Sequence, residues 1–490
     1  MRQISGAIRG LALSALVVLA GCVASDVGPI NILTMDAPPS SPDYIPDVGP
    51  DVGDDGSTII GLAFSGGGMR ASAFSYGVLR ALDDLVIDEA PYRRTMVDNV
   101  RMVAGVSGGA VTASYFALKG RDGYRDFDRR FLLQNPESAV RMGFGPVNLA
   151  RVLGGGMNDR SSFARWLDSH LFEGATFSSL RRENTPALWI NASDVYNRTP
   201  FLFNEDTFAA LCSDLDSLRL ADAVAASASF PVVFAPMVLE APEAGCEHTP
   251  PRWMQRALGD PNTSVRLHAY ANALASYRAN PGLNYVKLLD GGLTDNLGIT
   301  GLVLARAGAH TPHGPLSAED AVKVRHLLFL VTDAGRGQTA TWGENLRGPG
   351  IAPLLQAAID TNMASALREG LDALTFAMSD WKTKLVNYRC SLSSETVRRI
   401  RGTTRGWNCR DVDVIVEHLA FTDLDQPTED RLNRIPTRLG LPAKDIELLV
   451  DAGRRTVLAH DSIMKVVANA RHQAGVRSPM EVSVLEEPAR

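Results

Sequence analysis

Residues 105–109 read Gly-Val-Ser-Gly-Gly, which puts a serine at the centre of a Gly-x-Ser-x-Gly pattern. Where this pattern joins a strand to a helix, the backbone bends sharply and exposes the serine hydroxyl, and glycines crowd the bend for that reason. A serine hydroxyl attacks a carbonyl only when a positioned base takes its proton, so the chemistry open to Ser107 depends on that base. In the usual triad order a carboxylate and then a histidine follow the serine. The candidates are His248, His268, His310, His313, His326, His418, His460 and His472. None lies just beyond a strand end beside glycine, and His326 and His418 sit inside apolar runs, where a structural role is expected. Asp290 does occupy such a place, closing the run Asn-Tyr-Val-Lys-Leu-Leu-Asp ahead of Gly291 and Gly292. In a dry pocket an aspartate becomes a stronger base than in water, so a Ser107–Asp290 dyad needs no histidine. Taken alone, Asp290 also reads as a turn or cap residue.

Acyl transfer further requires donors for the oxyanion that develops on the attacked carbonyl. Gly66-Gly67-Gly68-Met69-Arg70 opens a helix and offers bare backbone N–H groups with the helix dipole behind them. Arg70 would either hold this loop in place or contact a lipid phosphate. The glycines also satisfy a dinucleotide-binding fingerprint, Gly66-x-Gly68-x-x-Ala71. The acidic residue which that reading needs would be Asp83 or Asp84, and the helical pattern already claims both.

These residues require strands and helices to position them. Residues 58–64 form an apolar, β-branched run before the glycines, and the apolar positions of 69–85 recur at helical spacing. The same strand, glycine turn and helix recur at 101–106, Ser107 to Gly109 and 110–120. Further strands are expected at 187–193, 284–290, 325–335 and 411–421, with a helix after Gly291 and Gly292. Strands alternating with helices predict an α/β fold: a mainly parallel sheet covered by helices on both faces. Residues 121–180 and 237–282 read as loop insertions over the site or on the rim. From Ile351 to Phe376 one apolar stripe predicts a helix that packs on the sheet or serves as a lid or membrane-facing element, and 443–470 a covering helix.

The N-terminus reads as a targeting segment. Arg2 and Arg9 precede an apolar run, Leu11 to Ala20, that is too short to span a membrane. It ends in Leu19-Ala20-Gly21-Cys22, which resembles the lipobox of bacterial lipoproteins and implies removal of 1–22 and acylation of Cys22. Val23, where an aspartate would favour inner-membrane retention, leans this resemblance to the outer membrane of the cell envelope. Residues 23–57 are Pro- and Asp-rich and predict an extended tether, followed by a folded domain over 58–475 and a tail at 476–490. The net charge of −6 gives no electrostatic case for nucleic acid. Cys212, Cys246, Cys390 and Cys409 allow three disulfide connectivities or buried thiols, and their spacing is not that of a zinc site. Pairing between sequence neighbours would join Cys212 to Cys246 and Cys390 to Cys409.

Taken in order, GGGMR at 66–70, GVSGG at 105–109 and DGG at 290–292 resemble the patatin-like phospholipase family. Residues 191–203, 221–236 and 290–298 resemble further family segments, and the resemblance covers roughly 58–470. It implies a lipid acyl hydrolase of phospholipase A or lysophospholipase type. Ser107 would be the nucleophile, Asp290 the base, Gly66, Gly67 and Gly68 the oxyanion donors and Arg70 a supporting residue, with no metal or cofactor. It also implies a phospholipid or other lipid ester as substrate. A non-lipid carboxylesterase and a catalytically silent lipid-binding envelope lipoprotein are the alternatives.

Overall fold

The alternation read in the sequence appears directly in a computed structural model that describes residues 28–39, 54–90, 93–140, 158, 161–231, 233–242, 246–280, 282–337, 346 and 349–481. Strand β1 (Thr58–Phe64) is buried at all seven residues and turns through glycines into helix α1 (Gly68–Asp84). Strand β2 (Val100–Val106) and helix α2 (Gly108–Gly123) repeat the unit around Ser107. Next come β3 (Ala187–Asp194), β4 (Thr199–Leu202), α3 (Leu220–Ser227), β5 (Met237–Glu240), β6 (Tyr285–Asp290) and α4 (Thr300–Gly308). The chain continues through β7 (His326–Asp333), α5 (Ile351–Ser391), β8 (Asp413–Ala420), α6 (Ala443–Ala459) and α7 (Asp461–Glu481).

Among the described residues these strands form one eight-stranded sheet in the order β8-β7-β1-β2-β3-β6-β5, with β4 also paired to β3. From β8 to β3 every pairing is parallel. Side chains alternate across β1, so Ile60, Leu62 and Phe64 enter one core with α1, α2 and α6. Ile59 and Ala63 enter the other, with Leu302 of α4 and Leu374, Met378 and Trp381 of α5. Helices thus cover both faces, which is why the central strands read as unbroken apolar runs.

Several details differ from the sequence reading. β6 runs antiparallel to β3, so Asp290 does not end a parallel strand; β6 comes in against the last residues of β3 and stops with Asp290 opposite Ala192. Apolar content fixes a strand but not its direction. The segment 237–282 is largely regular, holding β5 and helices at Arg252–Gly259 and Val265–Ala279. Within 121–180, Tyr124, Phe127, Phe131 and Trp166 are buried in the main core. The last helix reaches Glu481, beyond the expected start of the tail at 476.

Residues 28–39 do not hang free as the tether reading expects. Ile30 N donates to Val238 O at 3.0 Å, and Asn31 bonds Glu240 through both its amide oxygen and nitrogen. The segment caps the edge strand β5 through backbone groups, which takes little apolar surface and so leaves little trace in composition. Cys22 and the segments 1–27, 40–53 and 482–490 lie outside the described residues. Of the possible disulfide patterns the structure has Cys212–Cys246 and Cys390–Cys409.

Candidate active site

Ser107 is the single residue between β2 and α2, with φ 51° and ψ −119°. This left-handed conformation costs a non-glycine residue about 1–3 kcal/mol and persists only where its surroundings hold it. Here Ser107 N donates to Ser227 Oγ at 2.8 Å, and that hydroxyl donates to Asn191 O at 2.6 Å. The flanking glycines allow close packing. A Cβ on Gly108 would collide with the Gly68 carbonyl, and one on Gly109 with the Phe64 carbonyl. The serine turn and the 66–68 loop are therefore packed backbone to backbone, which no larger residue would permit.

Asp290 is 5% exposed; its carboxylate accepts the Gly292 N–H at 2.8 Å, and the neighbouring Ser107 side chain favours its ionised form. Its backbone is pinned as well: Asp290 N donates to Ser229 O at 2.9 Å, and Ser193 Oγ donates to Asp290 O at 2.8 Å. Burial pushes its pKa up from 3.8 to about 6, and the bonds from Gly292 and Ser107 hold back part of that rise. Asp290 is thus ionised at neutral pH and a stronger base than a solvated carboxylate.

The glycine loop divides its labour differently from the sequence reading. Gly66 N donates to Asn296 O at 3.0 Å, so it is already committed and is not a free oxyanion donor. Gly67 and Gly68, with φ 139° and 61°, begin α1, and no acceptor is found for their N–H groups among the described residues. Arg70 is 3% exposed and turned inward, donating from Nε to Ala334 O at 2.8 Å and from Nη1 to Ile435 O at 2.9 Å. It therefore clamps the loop to the end of β7 and to the segment before α6, and does not present itself to a phosphate. Burial, then Arg336, lowers its pKa to about 10, which leaves it charged at neutral pH.

None of the eight candidate histidines bonds the Ser107–Asp290 pair. His418 Nε2 lies 3.3 Å from Asp333, and His460 sits between Glu417 and Asp423. His313 Nδ1 bonds Leu316 O, and His268 Nδ1 bonds Ala257 O. Sequence reasoning missed Ser227, Ser229, Ser193 and Asn296. The first two lie in the Ala/Ser-rich run 221–236, where serines spaced among alanines at a helix end were the available signal.

The site is overhung by α5: Asn362 Nδ2 donates to Leu293 O at 2.9 Å, and Met363 Cε stands over Gly292. A separate cavity of about 370 Å3, between the start of β3 and the 252–279 helices, includes neither Ser107 nor Asp290. Among the described residues no group of three or more His, Cys, Asp or Glu is placed to hold a metal ion, and no helix is long and apolar enough to cross a membrane.

The strand-turn-helix at Ser107, the glycine loop and the buried Asp290 thus meet in one place, with no histidine bonded to Ser107 or Asp290 among the described residues. The sequence model of the patatin-like phospholipase family matches residues 62–303. Among solved structures, human GIVD cytosolic phospholipase A2 aligns at 13% identity over 86% of this chain and 63% of that one, with a TM-score of 0.40. VipD from Legionella pneumophila aligns at 14% identity over 83% and 67%, with a TM-score of 0.31. The chain therefore spans less than two thirds of the phospholipase A2 chain it matches. No curated protein sequence matches it.

Proposed function

We propose that this protein is a lipid acyl hydrolase of phospholipase A or lysophospholipase type, working through a Ser107–Asp290 dyad and an acyl-enzyme. The observation that carries the reading is a conformationally strained serine beside a buried aspartate whose pKa stands near 6 and is held down in part by that serine. Asp290 takes the Ser107 proton as Oγ attacks the ester carbonyl. The negative charge gathers on the carbonyl oxygen, within reach of the free N–H groups of Gly67 and Gly68 at the start of α1. Collapse breaks the ester bond, and Asp290 returns the proton to the departing alcohol. Water, deprotonated by the same carboxylate, then attacks the acyl-enzyme, and Ser107 leaves with its proton restored.

The lipid substrate is supported by the family of the 62–303 domain. The test is release of fatty acid from phosphatidylcholine and lysophosphatidylcholine vesicles, set beside hydrolysis of p-nitrophenyl butyrate, for the wild-type protein and Ser107→Ala. The reading expects lipid hydrolysis that Ser107→Ala abolishes. Turnover of the short ester alone would replace it with a non-lipid esterase. We further infer that Cys22 carries a lipid anchor in a bacterial outer membrane, on the strength of the sequence Leu19-Ala20-Gly21-Cys22. Labelled palmitate entering the wild type but not Cys22→Ala tests it.

A further inference from the structure

Asn296 is 6% exposed, and its side-chain oxygen is buried without a hydrogen-bond partner among the described residues. A buried carbonyl left unpaired is costly, so its persistence beside a reacting serine calls for a donor that arrives during the reaction. Its position narrows the choice. A Cβ on Gly66 would lie 2.5 Å from Asn296 Oδ1 and 3.6 Å from Ser107 Cβ. A Cβ on Gly292 would lie 2.8 Å from the same oxygen and 3.1 Å from Asp290 Oδ1. Two glycines, one from the oxyanion loop and one from the aspartate turn, thus make room for this one oxygen beside the dyad. The nearby backbone donors are already engaged, Gly66 N with Asn296 O and Gly292 N with Asp290.

We infer that Asn296 Oδ1 holds the hydrolytic water of the deacylation step. The inference rests on the acyl-enzyme proposed above. In that intermediate Ser107 Oγ is esterified and no longer donates to Asp290. A water entering beside Asp290 brings two protons. One goes to the Asp290 carboxylate as the oxygen forms its bond to the acyl carbon. The other is accepted as a hydrogen bond by Asn296 Oδ1, which aims the oxygen lone pair at the carbon. The tetrahedral intermediate then collapses with cleavage of the bond from the acyl carbon to Ser107 Oγ. Asp290 passes its proton to that oxygen, and the carboxylic acid departs. During acylation the nucleophile is Ser107, which has a single hydroxyl proton, and Asn296 has no part to play.

That asymmetry supplies the test. Asn296→Ala and the bulkier Asn296→Leu are compared with wild type on a p-nitrophenyl ester, by pre-steady-state burst, by intact mass and by product partitioning between water and added methanol. Methanol brings one proton, which Asp290 takes, so it gains nothing from a second acceptor. The expected result is an unchanged burst, steady-state turnover lower by about tenfold for one lost hydrogen bond, and an acyl adduct accumulating on Ser107. The methyl ester to acid ratio should rise by the same factor. Equal slowing of burst and turnover, or an unchanged partition ratio, would overturn the inference and make Asn296 a structural or oxyanion-side residue. A wild type that forms no methyl ester from added methanol and shows no burst or adduct would instead remove the acyl-enzyme reading on which it rests.

Discussion

Asp290→Asn should stop turnover and, at neutral pH, make the protein more stable. The carboxyl group is buried, with a pKa raised from 3.8 to about 6, chiefly by that burial. The folded state therefore disfavours the ionised form relative to the unfolded chain. That displacement corresponds to about 3 kcal/mol of lost stability above pH 6, shrinking as pH falls and vanishing below about 3.8, where both states are protonated. Asparagine keeps an oxygen for the Gly292 N–H, so that bond survives while the charge goes. Urea denaturation of the wild type and Asp290→Asn at pH 8 and pH 4 reads the difference directly. The variant should be more stable by about 1–3 kcal/mol at pH 8, with the gap closed at pH 4. A variant less stable than wild type at pH 8, or an equal gap at both pH values, would show that burial does not set the state of this carboxylate.

Two other outcomes follow from the same geometry. The acid limb of kcat/KM should fall below a midpoint near pH 6, because Asp290 must be ionised to accept the serine proton; a limb centred near 4 would place the base in solvent. Gly68→Ala should fold, as read by circular dichroism, yet lose about 10²–10³ in kcat. Its Cβ would meet Arg438 O at 2.5 Å at a φ of 61°, and relief of that contact moves the donors of the loop. Near-normal kcat in a folded Gly68→Ala variant would count against Gly68 as an oxyanion donor.

The meeting of Ser107, Asp290 and the glycine loop was more legible than the architecture around it. Ser107, Asp290 and the glycines announced themselves because a strained turn and backbone-to-backbone packing admit few residue types. Strand order and the reversal of β6 did not, since an apolar run such as Tyr285–Asp290 reads the same in either direction. The commitment of Gly66 N–H could not be read because its acceptor, Asn296 O, comes from far along the chain. Asn31 illustrates the converse: one amide pairing with an edge strand fixes a segment whose composition argues for a tether. The two faces of α5 were only half distinguishable. Its apolar stripe resolves into Leu374, Met378, Trp381 and Leu385 packed on the sheet and an N-terminal half that reaches over the site through Asn362 and Met363.

In the proposed mechanism Ser107 is activated by Asp290 alone. Labelling with a fluorophosphonate, followed by peptide mass mapping, tests it most directly when run on the wild type, Asp290→Asn and single His→Ala variants. An adduct should form on Ser107, be lost in Asp290→Asn and be kept in every folded histidine variant. An adduct on another residue, or a folded histidine variant that no longer labels, would contradict it.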